Sequence, residues 1–180
     1  MDLQDQRYRR YLIHIFVVLV FLAYLASANY IFSHLLTVDG EAEVHNINIP
    51  EETGNIRYYI DPIQIRQIEW KGIIAINGWA FIEGVDAYNY STYILLKADT
   101  KEYVFDTSME MRPDITQHFA SLQLDLDKSG FHSNIPLERI QDEMYQIGII
   151  ISRNDADSIS YTLTNTYIIK KGRYIEMEKR

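Results

Sequence analysis

NGWAFIEG, residues 77–84, decides the fold through one question: on which side of a strand do Trp79 and Phe81 lie? The longer run IIAINGWAFI, residues 73–82, reads as a strand. Side chains alternate between the two faces of a strand, so Ile73, Ala75, Asn77, Trp79 and Phe81 share one face and Ile74, Ile76, Gly78, Ala80 and Ile82 the other. Both faces are largely apolar, so both are covered. Trp79 and Phe81 form either an exposed aromatic platform for a ligand or the centre of a β-sandwich core. Gly78 and Ala80 beside Trp79 leave room for a close neighbour, and a large indole gains most from burial. The expectation is a core position between two sheets, with Asn77, Thr92 or a backbone carbonyl accepting from the indole N–H.

The same β signals recur on either side. IRYYI (56–60), IQIRQIEW (63–70), STYILLKA (91–98), KEYVFDT (101–107), FHSNI (131–135), EMYQIGIIIS (143–152) and SISYTLTNTYIIKK (158–171) are short runs rich in Ile, Tyr, Thr and Val. Turn residues separate them. In YQIGIII, Tyr145, Ile147, Ile149 and Ile151 share a face with Gly148 on the other, which makes this a second central strand with Ile147 and Ile149 in the core. Lys71-Gly72 and Ala98-Asp99-Thr100-Lys101 read as hairpin turns. Trp70, beside the first, is placed half-exposed at the rim. RPDITQHFA (112–120) starts a helical turn at Pro113, with Ile115 and Phe119 on one side, and caps an open end of the sandwich. Leu137 to Ile140 makes another short turn. The fold class is all-β: an antiparallel, immunoglobulin-like β-sandwich over residues 56–180, preceded by one transmembrane helix.

That helix is read from residues 12–36, LIHIFVVLVFLAYLASANYIFSHLL, which contain no Lys, Arg, Asp or Glu. About 25 helical residues rise roughly 37 Å, enough for a hydrocarbon core of about 30 Å. Arg7, Arg9 and Arg10 precede the run and acidic residues follow it, which predicts a cytoplasmic tail (1–11), a signal anchor, a linker (37–55) and a domain outside the cell. Tyr11, Tyr30 and Phe32 read as interfacial anchors, and His14 and His34 as neutral residues near the ends of the span. Cleavage after Ala28, in the small-x-small context Ala26-Ser27-Ala28, is the rival reading. The lipid bilayer is thus an expected partner.

Composition removes several classes of function. The chain has 180 residues, 47% hydrophobic and 23% charged, with a net charge of -8 and no cysteine. One domain plus an appendage fits the length. The acidic balance excludes a nucleic-acid groove, and the lack of cysteine excludes disulfides, thiolate nucleophiles and Cys-ligated zinc. No G-x-S-x-G, H-E-x-x-H or glycine-rich phosphate loop is present, and His45, His118 and His132 fall in no common motif. No catalytic residue, no enzyme activity and no cofactor are expected. Asp125, Asp127 and Ser129 with Gly130 match the opening of an EF-hand-type calcium loop, but its twelfth position is Pro136. They read as a polar turn, as do the pairs Asp125/Asp127 and Asp155/Asp157. Sugars present apolar C–H faces to aromatic rings and hydroxyls to Asp, Asn and Gln. The loop VDAYNYS (85–91) has that character, so Asp86, Tyr88, Asn89 and Tyr90 are the candidate ligand-binding residues.

Several segments together resemble a known module: IEWKGIIAINGWAFIEG, YVFDT followed by RPDIT, LDKSGFHSNIPLERI and YQIGIII. They are similar to a β-sandwich of bacterial surface proteins, found behind a single membrane helix or fused to transferases that build teichoic acids and surface polysaccharides. The similarity spans roughly residues 56–170, and its motifs are structural. It implies a non-catalytic accessory or binding module, with a cell-surface glycan or another membrane protein as partner. A structural subunit of a membrane complex, packing through Ala23, Ala26, Ser27 and His34, is the alternative.

Overall fold

Runs of β-branched and aromatic residues become strands almost where the pattern puts them. In the computed structural model, which describes residues 14–21, 23–24, 49, 51–68, 71–154 and 158–180, these are β1 (Ile56–Ile60), β2 (Gln64–Ile68), β3 (Lys71–Ile82), β4 (Tyr90–Lys97), β5 (Glu102–Asp106), β6 (Ser108–Glu110), β7 (Gly130–Pro136), β8 (Met144–Arg153), β9 (Ser158–Lys171) and β10 (Tyr174–Lys179). They form two five-stranded sheets. The first runs β1-β3-β7-β6, with β2 also paired to β3; the second runs β10-β9-β8-β4-β5. Every pairing described is antiparallel.

The main core joins the inner faces of the two sheets. From the first sheet come Ile74, Ile76, Ala80, Ile82, Phe131 and Ile135; from the second come Ile94, Leu96, Phe105, Tyr145, Ile147, Ile149, Ile151 and Ile168. Ile147 and Ile149 are fully buried, as the β8 pattern requires. Gly78 belongs to the inner face of β3, where a Cβ would come within 2.1 Å of the Tyr59 carbonyl oxygen and 2.9 Å of Phe131 Cζ.

Trp79 therefore faces the other way. With Phe81 it lies on the outer face of the first sheet, outside the space between the two layers. Phe81 is fully buried there with Ala87, Ile115 and Leu126, and Trp79, Phe119 and Leu124 pack against them half-buried. The cover is the segment after β6: a short cap helix, Pro113–His118, and a 3-10 turn at Ala120–Leu122. Pro113 at the first helical position fixes φ for helix entry. The cap thus lies on the outer sheet face rather than across an open end of the sandwich. Asn77 and Thr92 do not take the indole proton: Asn77 Oδ1 is bonded to His132, and Thr92 stands in the second sheet.

The outer face of the second sheet has its own apolar cluster, Leu95, Val104, Ile150 and Tyr161, against which Ile49 packs. Part of the expected linker is built into the fold beside it. The Thr53 N–H donates to the Tyr161 carbonyl at 2.9 Å, the Tyr161 N–H returns a bond to Thr53 Oγ1 at 3.1 Å, and the Leu163 N–H donates to Glu52 Oε1 at 3.0 Å. Residues 52 and 53 flank the half of β9 that β10 does not reach.

The β4–β5 turn falls at Ala98–Lys101, closed by Ala98 N–H to the Lys101 carbonyl at 2.8 Å. The β2–β3 hairpin closes one step earlier than expected. Ile68 opposes Lys71, so Lys71 and Gly72 are strand residues of β3. Trp70 and the pair Asp155/Asp157 lie outside the described residues. The short turn expected at 137–140 is a 3-10 helix at Leu137–Arg139.

The membrane span expected over 12–36 is overturned. Among the described residues no helix is long and apolar enough to cross a membrane. The helix at 14–21 rises only about 12 Å, against a hydrocarbon core of about 30 Å. The predicted single-pass localisation falls with it. Tyr11, Ala26 to Ala28, Tyr30, Phe32, His34 and His45 lie outside the described residues.

Candidate functional site

The β3–β4 loop, residues 83–89, is acidic, glycine-bearing and tied at several points. Gly84 takes φ 77°, a left-handed conformation that suits glycine, and so lets the chain turn out of β3. The Val85 N–H closes a turn onto the Ile82 carbonyl at 3.2 Å, and the Ala87 N–H donates to the Asp125 carbonyl at 2.7 Å. Asp86 Oδ1 accepts from the Asp125 N–H at 2.8 Å. At the far end the Asn154 N–H donates to the Asn89 carbonyl at 3.1 Å. Tyr90 begins β4 opposite Arg153 of β8.

These constraints shape a cavity of about 310 Å³ lined by Gly84, Val85, Asp86, Tyr88, Asn89, Tyr90 and Arg153. All four residues singled out in the loop are brought together there. Their roles differ. Tyr88 is 56% exposed and Asn89 is exposed, whereas Asp86 and Tyr90 are half-buried. The Tyr90 ring packs against both the main core and the cluster under the cap. Arg153 was not legible as a site residue, because it joins the loop only through the β4–β8 pairing.

The segment 125–129 uses its oxygens internally. Asp127 Oδ1 accepts from the Thr116 hydroxyl at 2.6 Å, that hydroxyl oxygen accepts from the Leu126 N–H at 3.0 Å, and Asp125 Oδ1 accepts from the Asp127 N–H at 3.1 Å. Asp127 thus ties this segment to the cap helix, and the Ser129 carbonyl accepts from the Ala80 N–H of β3 at 2.9 Å, while the buried Ser129 hydroxyl has no hydrogen-bond partner among the described residues. Among the described residues no three His, Asp or Glu side chains converge on one point.

A second surface, on the outer face of the first sheet, is built around Trp79. Tyr59 lies directly across from it on β1, their ring centroids 6.5 Å apart and planes 20° apart. Phe81 continues the row at 5.7 Å and 19°, and Phe119 meets Trp79 edge-on at 5.5 Å. On the other side Gly130 opposes Trp79, and the Arg112 stem fills the space a side chain would take, since a Cβ there would come within 2.6 Å of Arg112 Cγ. One rung along, Asn77 opposes His132, and His132 Nδ1 donates to Asn77 Oδ1 at 2.5 Å.

Two arginines near this face are paired with carboxylates. Arg57 Nε donates to Glu83 Oε1 at 2.5 Å. Arg112 makes a two-pronged pair with Asp114 at 2.9 and 2.8 Å, which holds that carboxyl below the ordinary carboxylate range. Lys179 places its ammonium 5.9 Å from the Tyr59 ring centroid. His118 sits edge-on to Phe119 at 4.7 Å, on the cap rather than beside His132.

No family model, curated protein or solved structure matches this chain.

Proposed function

We propose that this protein is a non-catalytic binding module: an immunoglobulin-like sandwich that holds a saccharide in the β3–β4 loop cavity. The observation that carries the reading is the convergence of Asp86, Tyr88, Asn89 and Tyr90 with Arg153 on one cavity. An exposed tyrosine ring offers the apolar contact a pyranose needs, while the amide, carboxylate and guanidinium around it suit hydroxyl groups. The Tyr90 hydroxyl, bonded to the Ile82 N–H and the Val85 carbonyl, holds the loop in one geometry before any ligand arrives, which lowers the ordering cost of binding. The resemblance of the sequence motifs to modules that accompany polysaccharide-building transferases is part of the same proposal.

The test is a glycan array probed with the full chain, followed by calorimetry on any hit. Tyr88→Ala and Asn89→Ala are expected to lower affinity about tenfold or more while leaving the thermal midpoint in place. An array without a single retained glycan removes the proposal.

A further inference from the structure

We infer that the outer face of the first sheet, at Asn77, Trp79 and His132, is a separate binding surface for a neutral, hydroxyl-rich pyranose chain. It does not rest on the loop cavity. The indole of Trp79 is half-buried and lies nearly parallel to the ring of Tyr59, which is 49% exposed. Aromatic area is therefore left accessible on a sheet face, where the C–H face of a sugar ring can lie against it.

The polar partners are set by the Asn77–His132 contact. Asn77 precedes Trp79 by two residues and shares its face. Because Asn77 Oδ1 is an acceptor, the imidazole proton sits on Nδ1, and the neutral ring then presents Nε2 as an acceptor. The amide keeps its Nδ2 donors. One donor and one acceptor beside an aromatic ring match a hydroxyl group, which accepts and donates at once. The next rung continues the uncharged set: Ala75 is flanked by Gln64 and Asn134. Rungs on one face lie about 6.8 Å apart, so a chain of sugars along β3 meets the Trp79 and Tyr59 rings, then the Asn77–His132 pair, then the Gln64 and Asn134 amides.

The overall charge balance favours a neutral ligand over an anionic one. Arg57 and Arg112 are already matched by Glu83 and Asp114, so neither is left to recruit an anion. A polyanion would also meet a protein of net charge -8.

Native affinity electrophoresis of the full chain, in gels containing laminarin, xyloglucan, galactomannan or polygalacturonate, tests this. The expected result is retardation by at least one of the three neutral polymers and none by polygalacturonate. In a Trp70→Phe background, which leaves Trp79 as the single indole, the same polymer should change the fluorescence. Asn77→Ala and His132→Ala are expected to weaken retardation at least tenfold with the fold intact by circular dichroism, and Trp79→Ala to abolish it. Tyr88→Ala, in the loop cavity, should leave it unchanged. The inference is overturned if no neutral polymer retards the protein, if Asn77→Ala binds like the parent, or if only unfolded variants lose binding. Loss on Tyr88→Ala alone would overturn it while supporting the loop cavity.

Discussion

The Tyr90 hydroxyl donates to the Val85 carbonyl at 2.9 Å and accepts from the Ile82 N–H at 3.3 Å. One side chain at the start of β4 thereby holds both the end of β3 and the loop between them. Tyr90→Phe keeps the ring in its apolar contacts and removes both bonds. The expected cost is about 1–2 kcal/mol of stability. Amide hydrogen exchange over residues 83–89 should accelerate more than exchange in β8, and an unchanged loop would mean that the hydroxyl does not organise it.

Gly78 has no room for a side chain. Adding a methyl would drive it into the backbone carbonyl of Tyr59, 2.1 Å away, and a backbone atom between two paired strands cannot step aside. Gly78→Ala is expected to cost about 3 kcal/mol, lowering the thermal midpoint by roughly 10 °C. Gly84→Ala is the contrast. Nothing lies within 4 Å of its Cβ position, so only the left-handed φ is penalised, at about 1 kcal/mol. Equal midpoints for the two variants would contradict this packing.

Asp142 clamps the β9–β10 hairpin by accepting from Lys170 Nζ and, at 2.7 Å, from the Gly172 N–H. These bonds hold its carboxyl below the ordinary range. A depressed carboxylate stabilises the fold above its unfolded pKa, and that contribution is lost as pH falls through the folded value. Thermal midpoints of the parent should therefore fall between about pH 5 and pH 2 more steeply than those of Asp142→Asn. Parallel curves for the two proteins would rule the clamp out as a source of acid sensitivity.

Tyr145 and Tyr161 titrate late. Burial, reinforced by neighbouring carboxylates, pushes each up to about 12. Tyr145 also donates to the Gln141 carbonyl at 3.0 Å. A raised folded value means that stability is intact below the unfolded pKa of about 10 and drains as pH climbs toward 12. Absorbance at tyrosinate wavelengths should show an early phase from exposed rings such as Tyr88 and Tyr174. A late phase should coincide with loss of circular dichroism, and Tyr145→Phe should shrink its amplitude.

How much of this could be read from residues alone depends on what each feature needs. The strands were legible because Ile, Val, Tyr and Thr recur with period two between turn residues. The sidedness of β3 was not, since both its faces are apolar and alternation alone cannot say which one meets the second sheet. The choice is made by Phe131 and the Tyr59 backbone closing over Gly78, contacts between distant parts of the chain. β6 and β10 escaped notice because SME and YIEMEK carry too few β-branched residues. Asp86, Tyr88, Asn89 and Tyr90 were legible from loop composition. Arg153 needed the register of β4 against β8, and His132 beside Asn77 needed that of β3 against β7. The membrane span was read from apolar length alone, and no helix long and apolar enough to cross a membrane stands among the described residues.

The bonds from Glu52 and Thr53 to β9 carry a practical consequence. A fragment trimmed to start at Ile56 would strip the flank from Tyr161 to Leu163 and bare main-chain donors and acceptors beside an apolar patch. Such an open margin invites a neighbouring molecule to zip on. Shortened versions should therefore self-associate with rising concentration, while those that begin ahead of Ile49 stay dispersed.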